Sequence, residues 1–440
     1  MIDIKALRED PERVKENIRK KFQDHKLALV DEVIALDSER RATIKEVEAI
    51  KAANNKLAKE NGPLFGRMKK CQSDADREEI QKKIDENMGK VRENEEREKA
   101  LDAKRTEIDE KILKIMYVIP NFIDDSVPIG KSDEENVERE RFGEPYVPDY
   151  EIPYHTDILE KLGGLDMPAA GRVAGNGFYY LIGDVARMHS GVLAYARDFM
   201  IDRGFTYCIP PFMIRRDVVD GVMSFDEMDA MMYKIEGEDL YLIGTSEHSM
   251  IGRFKGETID EKDLPCALTS YSPCFRKEKG AHGIEERGLY RVHQFEKQEM
   301  IVVCRPEESP VWFDRLWKNT VDFFRTLDVP VRTLECCSGD LADLKVKSVD
   351  VEAWSPRQKK YFEVGSCSNL GDAQARRLGI RVKGADGRKY LAHTLNNTVV
   401  APPRMLIALL ENNLNEDGSV RVPEALRPYM GGKEIILPVN

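Results

Sequence analysis

Three groups of polar residues in the second half of the sequence could carry chemistry. The first is Thr245-Ser246-Glu247, which follows the apolar run DLYLIG. A hydroxyl and a carboxylate at the end of a strand can bind an ammonium group, and the same pattern is also common as a plain helix cap. This group is an ammonium-site candidate that needs support from the rest of the chain.

The second group places arginines, carboxylates and an aromatic ring on both sides of a glycine-rich loop. Phe275-Arg276-Lys277-Glu278 precede the loop, and Arg291-Val292-His293-Gln294-Phe295 and then Glu299 follow it. The spacing predicts two antiparallel strands, with Arg276 and Glu278 on one face of the first and Arg291, His293 and Phe295 on one face of the second. Guanidinium groups on a rigid sheet can hold phosphate, and the ring offers a stacking surface for a base.

The third group is Glu363-Val364-Gly365-Ser366-Cys367-Ser368-Asn369, followed by HTLNNT at 393–398 and by Arg404. Carboxylate and hydroxyl oxygens are hard ligands that suit Mg²⁺ bound together with phosphates. Arg404 is predicted to open a helix, where backbone N–H groups also favour anions.

The elements that must position these groups fall into two parts, because the composition changes near residue 115. Between residues 37 and 113, apolar residues recur at spacings of three and four, which predicts the seam of a two-helix coiled coil. The seam residues are Ile44, Val47, Ile50, Ile80, Ile84, Met88, Val91, Leu101, Ile108 and Ile112. Gly62-Pro63 is predicted to end the first helix, and Ser73 or Asp74 to cap the second. Helices of about 31 and about 40 residues would project roughly 45–60 Å.

The sequence of this hairpin leaves its role open. On periodicity and charge alone, it could be a dimerisation coil or a spacer, since charge runs are usually solvated helix faces. Because it is neutral on a chain whose net charge is −11, it could also contact a polyanion.

Residues 116–145 are rich in proline, glycine and acids, and are predicted to be a linker. Beyond them, short strand-like runs (DLYLIG, QEMIVVC, KYFEVGSC, RKYLAHTL) alternate with helical patterns. This order favours an α+β fold, with a mostly antiparallel sheet flanked by helices. No GxxxxGK[ST] phosphate loop is present.

Composition and charge exclude several classes of protein. The 440 residues are 41% hydrophobic and 33% charged, and the net charge of −11 argues against wrapping nucleic acid by bulk charge. No run approaches the roughly 20 apolar residues of a membrane span, so no membrane partner is expected. The N-terminus lacks the apolar core of a signal peptide. Eight scattered cysteines without a CxxC pair indicate reduced thiols, and we expect a cytoplasmic location.

Longer segments resemble one known family over essentially all 440 residues. FRKEKGAHGIEERGLYRVHQFEKQE resembles motif 2 of class II aminoacyl-tRNA synthetases in its seryl form. FEVGSCSNLGDAQARR, LAHTLNNT and DGSVRVPEALRPYM are similar to C-terminal signatures of that family, and GFTYCIPPFM resembles motif 1, which builds the dimer interface. RVAGNGFYYLIGDVARM and the N-terminal hairpin match as well. The implied domains are a tRNA-binding domain at 1–115 with its arm at about 30–113, a linker at 116–145 and a catalytic domain at 146–440.

The resemblance implies a role for each matching residue. Arg276 would bridge the α-phosphate and the amino-acid carboxylate, Glu278 would contact the adenine amino group, and Phe295 would stack on adenine. Arg291 and Arg404 would hold the triphosphate, and these two with Arg276 and Glu278 form the implied catalytic set. The full sets are Arg276, Lys277, Glu278, Arg291, Val292, Phe295, Glu363, Val364, Gly365, Ser366 and Arg404 for ATP; Glu363 and Ser366 for Mg²⁺; and Thr245, Ser246, Glu247, Arg276, Glu299, Asn396 and Thr398 for serine.

The resemblance also implies the reaction and the partners. A member of this family activates L-serine with ATP and Mg²⁺ and loads it onto serine tRNA as a homodimer; selenocysteine tRNA is a further candidate partner. The arm would reach the long variable region of the tRNA, with Lys51, Lys56, Lys59, Arg67, Lys69 and Lys70 as candidate phosphate contacts. The zinc-ligand pattern of divergent methanogen-type enzymes is absent from the sequence, so no zinc is expected.

One segment departs from the family pattern. Val399-Val400-Ala401-Pro402-Pro403 precede Arg404, where the family has small, glycine-rich residues. Proline in a first helical turn is compatible with a helix, because its missing N–H would be unpaired there anyway.

Two rival functions remain. A synthetase-like ligase that loads a small amino acid onto a carrier protein should lack a full tRNA arm, and this chain has one. A catalytically inactive paralogue should have lost Arg276, Glu299 or Arg404, and all three are present.

Overall fold

The structure is a computed structural model that describes residues 1–278 and 288–439. The chain forms two compact units. One consists of Asp3–Ile18 and Gln23–Ile119; the other consists of Met1–Ile2, Arg19–Phe22 and the chain from Pro120 onward.

The first unit is dominated by two long antiparallel helices. The N-terminal helices are α1 (Ile4–Glu9), α2 (Pro11–Lys20), α3 (Leu27–Lys70) and α4 (Asp74–Val118). Ser73 caps α4, since its side chain accepts a hydrogen bond from the backbone N–H of Asp76. At 44 and 45 residues, α3 and α4 are longer than predicted and extend about 65 Å.

The predicted end of the first helix at Gly62-Pro63 is wrong, because α3 continues through Pro63 to Lys70. Proline inside a helix removes one backbone hydrogen bond and normally costs about 3 kcal/mol. Here the seam continues on both sides of it, with Asn61 buried and Leu64 and Met68 half-buried. Packing against α4 offsets the local cost, which propensity alone does not take into account.

The seam itself departs from the prediction at Met88, which is 40% exposed. The neighbouring Asn87 is buried instead, and its Nδ2 donates to Oδ1 of Asn61 at 2.8 Å. One heptad further along, Asn94 donates to Asn54 at 2.7 Å. Two polar layers therefore interrupt the apolar seam, and paired asparagines of this kind specify register.

The second unit contains the remaining helices and all the strands of the described residues. Its helices are α5 (His155–Lys161), α6 (Met167–Ala174), α7 (Gly183–Asp202), α8 (Arg216–Val222), α9 (Phe225–Met231), α10 (Ser246–Gly252), α11 (Ser309–Arg325), α12 (Ala373–Leu378) and α13 (Pro402–Asn413). Its strands are β1 (Val137–Phe142), β2 (Thr206–Cys208), β3 (Met213–Ile214), β4 (Tyr241–Leu242), β5 (Thr258–Asp260), β6 (Cys266–Phe275), β7 (Gln294–Cys304), β8 (Val331–Glu335), β9 (Lys347–Ser355), β10 (Lys360–Gly371), β11 (Arg381–Lys383), β12 (Lys389–Leu391), β13 (His393–Val400), β14 (Val420–Arg421) and β15 (Ile435–Ile436).

An eight-stranded sheet in the order β1-β8-β9-β10-β13-β7-β6-β2 forms the centre of this unit. Every neighbouring pair in it is antiparallel except β2 with β6. The α+β fold with a mostly antiparallel sheet is therefore confirmed.

Strand β7 is buried on both faces. Met300, Val302 and Cys304 belong to the large core on the side of α7, α11 and α13. Ile301 and Val303 belong to a smaller core with residues of α10 and α12. Since side chains alternate along a strand, Lys297 and Glu299 share the face of Ile301.

The segment 116–145 is not simply a linker. Helix α4 continues to Val118, and residues 137–142 form β1, the edge strand that pairs with β8. The acidic, proline-rich composition obscured this strand because an edge strand needs few apolar residues; most of its side chains are exposed.

All eight cysteines are free thiols; five are buried and three are partly exposed. None of the helices in the described ranges combines the length and the apolar character that a bilayer-spanning helix needs.

Candidate active site

Strands β6 and β7 pair as predicted, but most of the second polar group lies just beyond their ends. Because β6 ends at 275 and β7 begins at 294, the expected strand alternation of Arg276 with Glu278, and of Arg291 with His293, is wrong. Glu278 has a φ of +46°, a left-handed conformation that a regular strand cannot contain. The backbone N–H of Arg276 nevertheless donates to the carbonyl of His293 at 2.9 Å, so the two strands hold both ends of the loop together.

A cavity of about 250 Å³ opens at these strand ends. Of the residues assigned to ATP, those lining it are Arg276, Glu278, Arg291, Val292, Phe295, Glu363, Val364, Gly365 and Arg404. Lys277 is not among the lining residues, and its backbone N–H donates to the carbonyl of Met231 at 2.9 Å. The guanidinium of Arg276 lies 5.2 Å from the centroid of the Phe295 ring.

Two arginines of this cavity are paired with carboxylates. Arg404 lies in the first turn of α13, as predicted, and its Nη1 donates to a carboxylate oxygen of Glu363 at 3.0 Å. Burial, the largest single influence, would raise the pKa of Glu363. The charge and hydrogen bond of Arg404, together with the charges of Lys345 and Arg276, outweigh it, so that pKa is lowered and the carboxylate stays ionised. Arg291 donates to Glu278 at 3.1 Å. The prolines before Arg404 are therefore compatible with its place in the cavity.

A second cavity of about 240 Å³ adjoins the first. Arg276, Lys297, Glu363 and Thr398 line both cavities and mark their junction.

Four glutamates line the second cavity, and two of them, Glu247 and Glu299, belong to the serine set. Glu299 is 1% exposed, accepts a hydrogen bond from Oγ1 of Thr245 at 3.2 Å and forms an ion pair with Lys297. Lys297 also donates to Oγ1 of Thr398 at 3.4 Å. Burial and then the charge of Glu299 raise the pKa of Glu247 to about 7. Buried carboxylates of this kind are stabilised by a cationic partner.

The structure brings most of the serine set together. Thr245, Glu247, Arg276, Glu299, Asn396 and Thr398 all line the second cavity. Ser246 is fully buried and is not among the lining residues. Thr245 caps α10, and its Oγ1 accepts a hydrogen bond from the backbone N–H of Glu247 at 3.4 Å. The same residue therefore acts as a helix cap and lines the cavity, so the two interpretations of this segment do not exclude each other.

A bulge in β10 aims Glu363 and Ser366 at the same side of the sheet. Residues three apart on a regular strand face opposite sides. Glu363 pairs with Glu352 and Ser366 with Asp350, which are only two apart on β9, because the register shifts between Glu363 and Gly365. The extra residue turns Glu363 and Ser366 to one face.

Sequence reasoning missed Lys297, Asp350 and Lys345. Lys297 is two residues from both Phe295 and Glu299 on β7, so strand alternation could have found it. Asp350 faces Ser366 across the strand pair, and burial followed by the charge of Glu363 raises its pKa to about 6. Lys345 lines the second cavity from a loop, and no local pattern distinguishes it from the other surface-type lysines.

Comparisons with known proteins agree with this geometry. The family model for the seryl-tRNA synthetase N-terminal domain matches residues 1–123, and that for the tRNA synthetase class II core domain (G, H, P, S and T) matches residues 232–413. The serine–tRNA ligase of Methanocella arvoryzae is 40% identical, over 99% of this chain and 100% of that protein.

Two solved structures match over the whole chain. The seryl-tRNA synthetase of Pyrococcus horikoshii complexed with ATP has a TM-score of 0.91 and 38% identity, and covers 100% of both chains. The cytoplasmic serine–tRNA ligase of Naegleria fowleri in complex with AMP has a TM-score of 0.87 and 32% identity, over 100% of this chain and 99% of that one. With its helical arm, its antiparallel sheet and its two adjoining cavities, the chain belongs to the seryl-tRNA synthetase family.

Proposed function

We propose that this chain is a serine–tRNA ligase, which makes seryl-adenylate from L-serine and ATP and transfers the seryl group to the 3′ end of serine tRNA. The observation that carries the proposal is the junction of the two cavities at Arg276, Lys297, Glu363 and Thr398. One cavity suits a nucleotide and the other suits a small amino acid, so their reacting groups would meet at this junction.

In the nucleotide cavity, Phe295 offers the stacking surface for adenine and Glu278 accepts from its amino group. Arg291 and Arg404 hold the phosphate tail. The ion pairs of these arginines with Glu278 and Glu363 support the assignment, because they keep both guanidiniums directed along the cavity.

In the second cavity, Glu247 receives the ammonium group of serine, while Glu299, Thr398 and Asn396 lie within the same cavity for its hydroxyl. Buried carboxylates without a cationic guest are costly. Lys297 compensates part of that charge through its ion pair with Glu299.

The chemical step needs alignment more than covalent help from the protein. A serine carboxylate oxygen attacks the α-phosphorus of ATP, and the bond from that phosphorus to the bridging oxygen of pyrophosphate breaks. A ribose hydroxyl of the tRNA then attacks the carbonyl carbon, and AMP leaves. Arg276 stabilises the charge that develops on the α-phosphate, since a preorganised guanidinium acts there without reorganisation.

Mg²⁺ fits the residues beside this junction. Glu363 and Ser366 share one face of β10, and one oxygen of Asp350, Oδ1, is buried with no hydrogen-bond partner among the described residues. These hard oxygen donors would hold the ion, which neutralises phosphate charge when bound. Lys277 and Ser246, which do not line the cavities, are the weakest members of the proposed site.

The arm is proposed to bind tRNA. Lys51, Lys56, Lys59, Arg67, Lys69 and Lys70 are all exposed on α3, toward the end of the hairpin. Lys51 contacts Glu98 of α4 at 3.4 Å, so a phosphate would compete with that carboxylate. The same surface could serve selenocysteine tRNA, which we propose as a second partner.

We further propose a homodimer and a cytoplasmic location. Ile209 and Met213, on either side of Pro210-Pro211, are 69% and 46% exposed and line an apolar cavity. Large exposed apolar side chains that cluster in this way favour a protein contact.

The eight free thiols fit a reducing compartment, which supports the proposed cytoplasmic location.

The decisive test is ATP–pyrophosphate exchange with serine, alanine, threonine and glycine, followed by charging of serine tRNA. Serine should support exchange far better than the other three, and the tRNA should be aminoacylated. Exchange without tRNA charging, together with loading of a carrier protein, would favour the rival ligase.

A further inference from the structure

Gln374 of α12 is a fully buried side chain that joins three elements around the second cavity. Oγ1 of Thr394, on β13, donates to its Oε1 at 2.6 Å. Its Nε2 donates to a carboxylate oxygen of Glu247 at 2.8 Å and to the carbonyl of Val222 at 3.2 Å.

These contacts fix the orientation of the amide. A primary amide has two N–H donors and one carbonyl oxygen, and all three have partners here. A flipped amide would turn its oxygen toward the Glu247 carboxylate and the Val222 carbonyl, which are both acceptors. Gln374 can therefore only donate to Glu247.

The environment of Glu247 makes this donor important. Glu299 and Lys297 approach it from β7 and Lys345 from a loop, and Arg276, Glu227 and Glu363 line the same cavity. Burial and Glu299 raise the pKa of Glu247 to about 7, whereas the Gln374 hydrogen bond, Lys297 and Lys345 lower it. An N–H donor on the carboxylate therefore favours ionisation near neutral pH.

We propose that Gln374 is a positioning residue, which aims the Glu247 carboxylate into the amino-acid cavity and keeps it in the anionic form that a primary ammonium group requires. The inference rests on the proposed function, because Glu247 is there the partner of the serine ammonium. Gln374 itself does not touch the substrate; it acts through Glu247.

The principal variant is Gln374→Met, which keeps the approximate volume and removes both donors. In serine-dependent pyrophosphate exchange at neutral pH, the KM for serine should rise about 10-fold or more, while the KM for ATP stays unchanged. Because Glu247 loses a donor to its charged form, its pKa should rise. The acid limb of the pH profile of kcat/KM for serine, where activity falls as the pH decreases, should therefore move to higher pH.

Thr394→Val provides a second test, because it removes the hydroxyl that fixes the amide but leaves Gln374 in place. It should shift the acid limb in the same direction by a smaller amount. The matched control is Gln358→Met. Gln358 lies in the turn between β9 and β10 and lines neither cavity, so this variant should behave as wild type.

Equal increases in both KM values with an unmoved acid limb would overturn the inference, since a merely structural role predicts that pattern. If Gln374→Met does not fold, an unmoved acid limb in Thr394→Val overturns it. Wild-type protein is measured first: absence of serine-dependent exchange there refutes the proposed function, independently of Gln374.

Discussion

At the scale of single residues, Arg276 lies where the two cavities meet. Its Nε donates to the carbonyl of Gly244 at 3.1 Å, and its guanidinium lies near the Phe295 ring. It also lines both cavities. One guanidinium can therefore contact the two reacting groups at once.

Replacing Arg276 by lysine should keep the charge and lose the planar fork. We expect serine-dependent pyrophosphate exchange to fall by about 100-fold or more, because an ammonium group cannot reproduce two parallel hydrogen bonds. Arg381→Lys, at an exposed position on β11, is the control and should exchange normally. An unchanged rate in Arg276→Lys would refute the assignment.

Amino-acid selection belongs to the same scale. Alanine would leave Glu299 and Thr398 without the hydroxyl partner, which can cost about 10⁴ in specificity. Threonine keeps the hydroxyl and adds a methyl group, a weaker filter of about 10–200-fold. Relative kcat/KM values should therefore decrease from serine to threonine to alanine, and equal activation of alanine and threonine would contradict this proposal.

At the scale of elements, the asparagine layers of α3 and α4 are the least expected feature. Asn87→Leu should leave the buried amide of Asn61 without its partner and destabilise the hairpin by about 1–3 kcal/mol. The double variant Asn61→Leu/Asn87→Leu should recover that loss, because apolar pairs of similar size are more stable in a seam.

Amide hydrogen exchange of α3 and α4 in the full chain measures both changes. Met88→Ala, at the neighbouring exposed position, should leave the exchange rates unchanged. A double variant as unstable as Asn87→Leu alone would show that the polar layer stabilises the hairpin beyond specifying its register.

The whole hairpin is the next element to test. A deletion that joins Arg40 to Ala103 removes the outer seam and all six candidate phosphate contacts, and leaves the second unit, which has its own core. Serine-dependent exchange should stay near normal, while charging of serine tRNA should fall by orders of magnitude. In the intact chain, tRNA affinity should weaken as salt is added, as counterion release requires. Normal charging without the hairpin would make it only a spacer.

At the scale of the whole molecule, the proposed dimer gives the simplest measurement. Light scattering at micromolar concentration should report about twice 50.3 kDa. Met213→Glu would place a charge on the exposed apolar cluster and should shift the mass toward the monomer. Val173→Glu, at an exposed apolar side chain that does not line this cavity, should not. A fully active wild-type monomer would refute the dimer.

The sequence by itself determined the family, the α+β class and the hairpin, and most of its candidate site residues line the two cavities. These features depend on local patterns: the spacing of apolar residues, the cap at Ser73, and the order of residues within contiguous sequence motifs. Arg404 could be placed at a helix start for the same reason, and the two prolines before it are compatible with a first turn.

Only the tertiary structure decided how distant segments combine. The bulge in β10 depends on its pairing with β9, so the common face of Glu363 and Ser366 could not be read from their spacing. Pro63 stays helical because α4 packs against its helix, and Gln374 faces Glu247 because α12 and α10 meet above the sheet. Such contacts depend on strand register and on long-range packing. Packing overrides local propensity because the surface that it buries contributes more free energy than the conformational preference of any single residue.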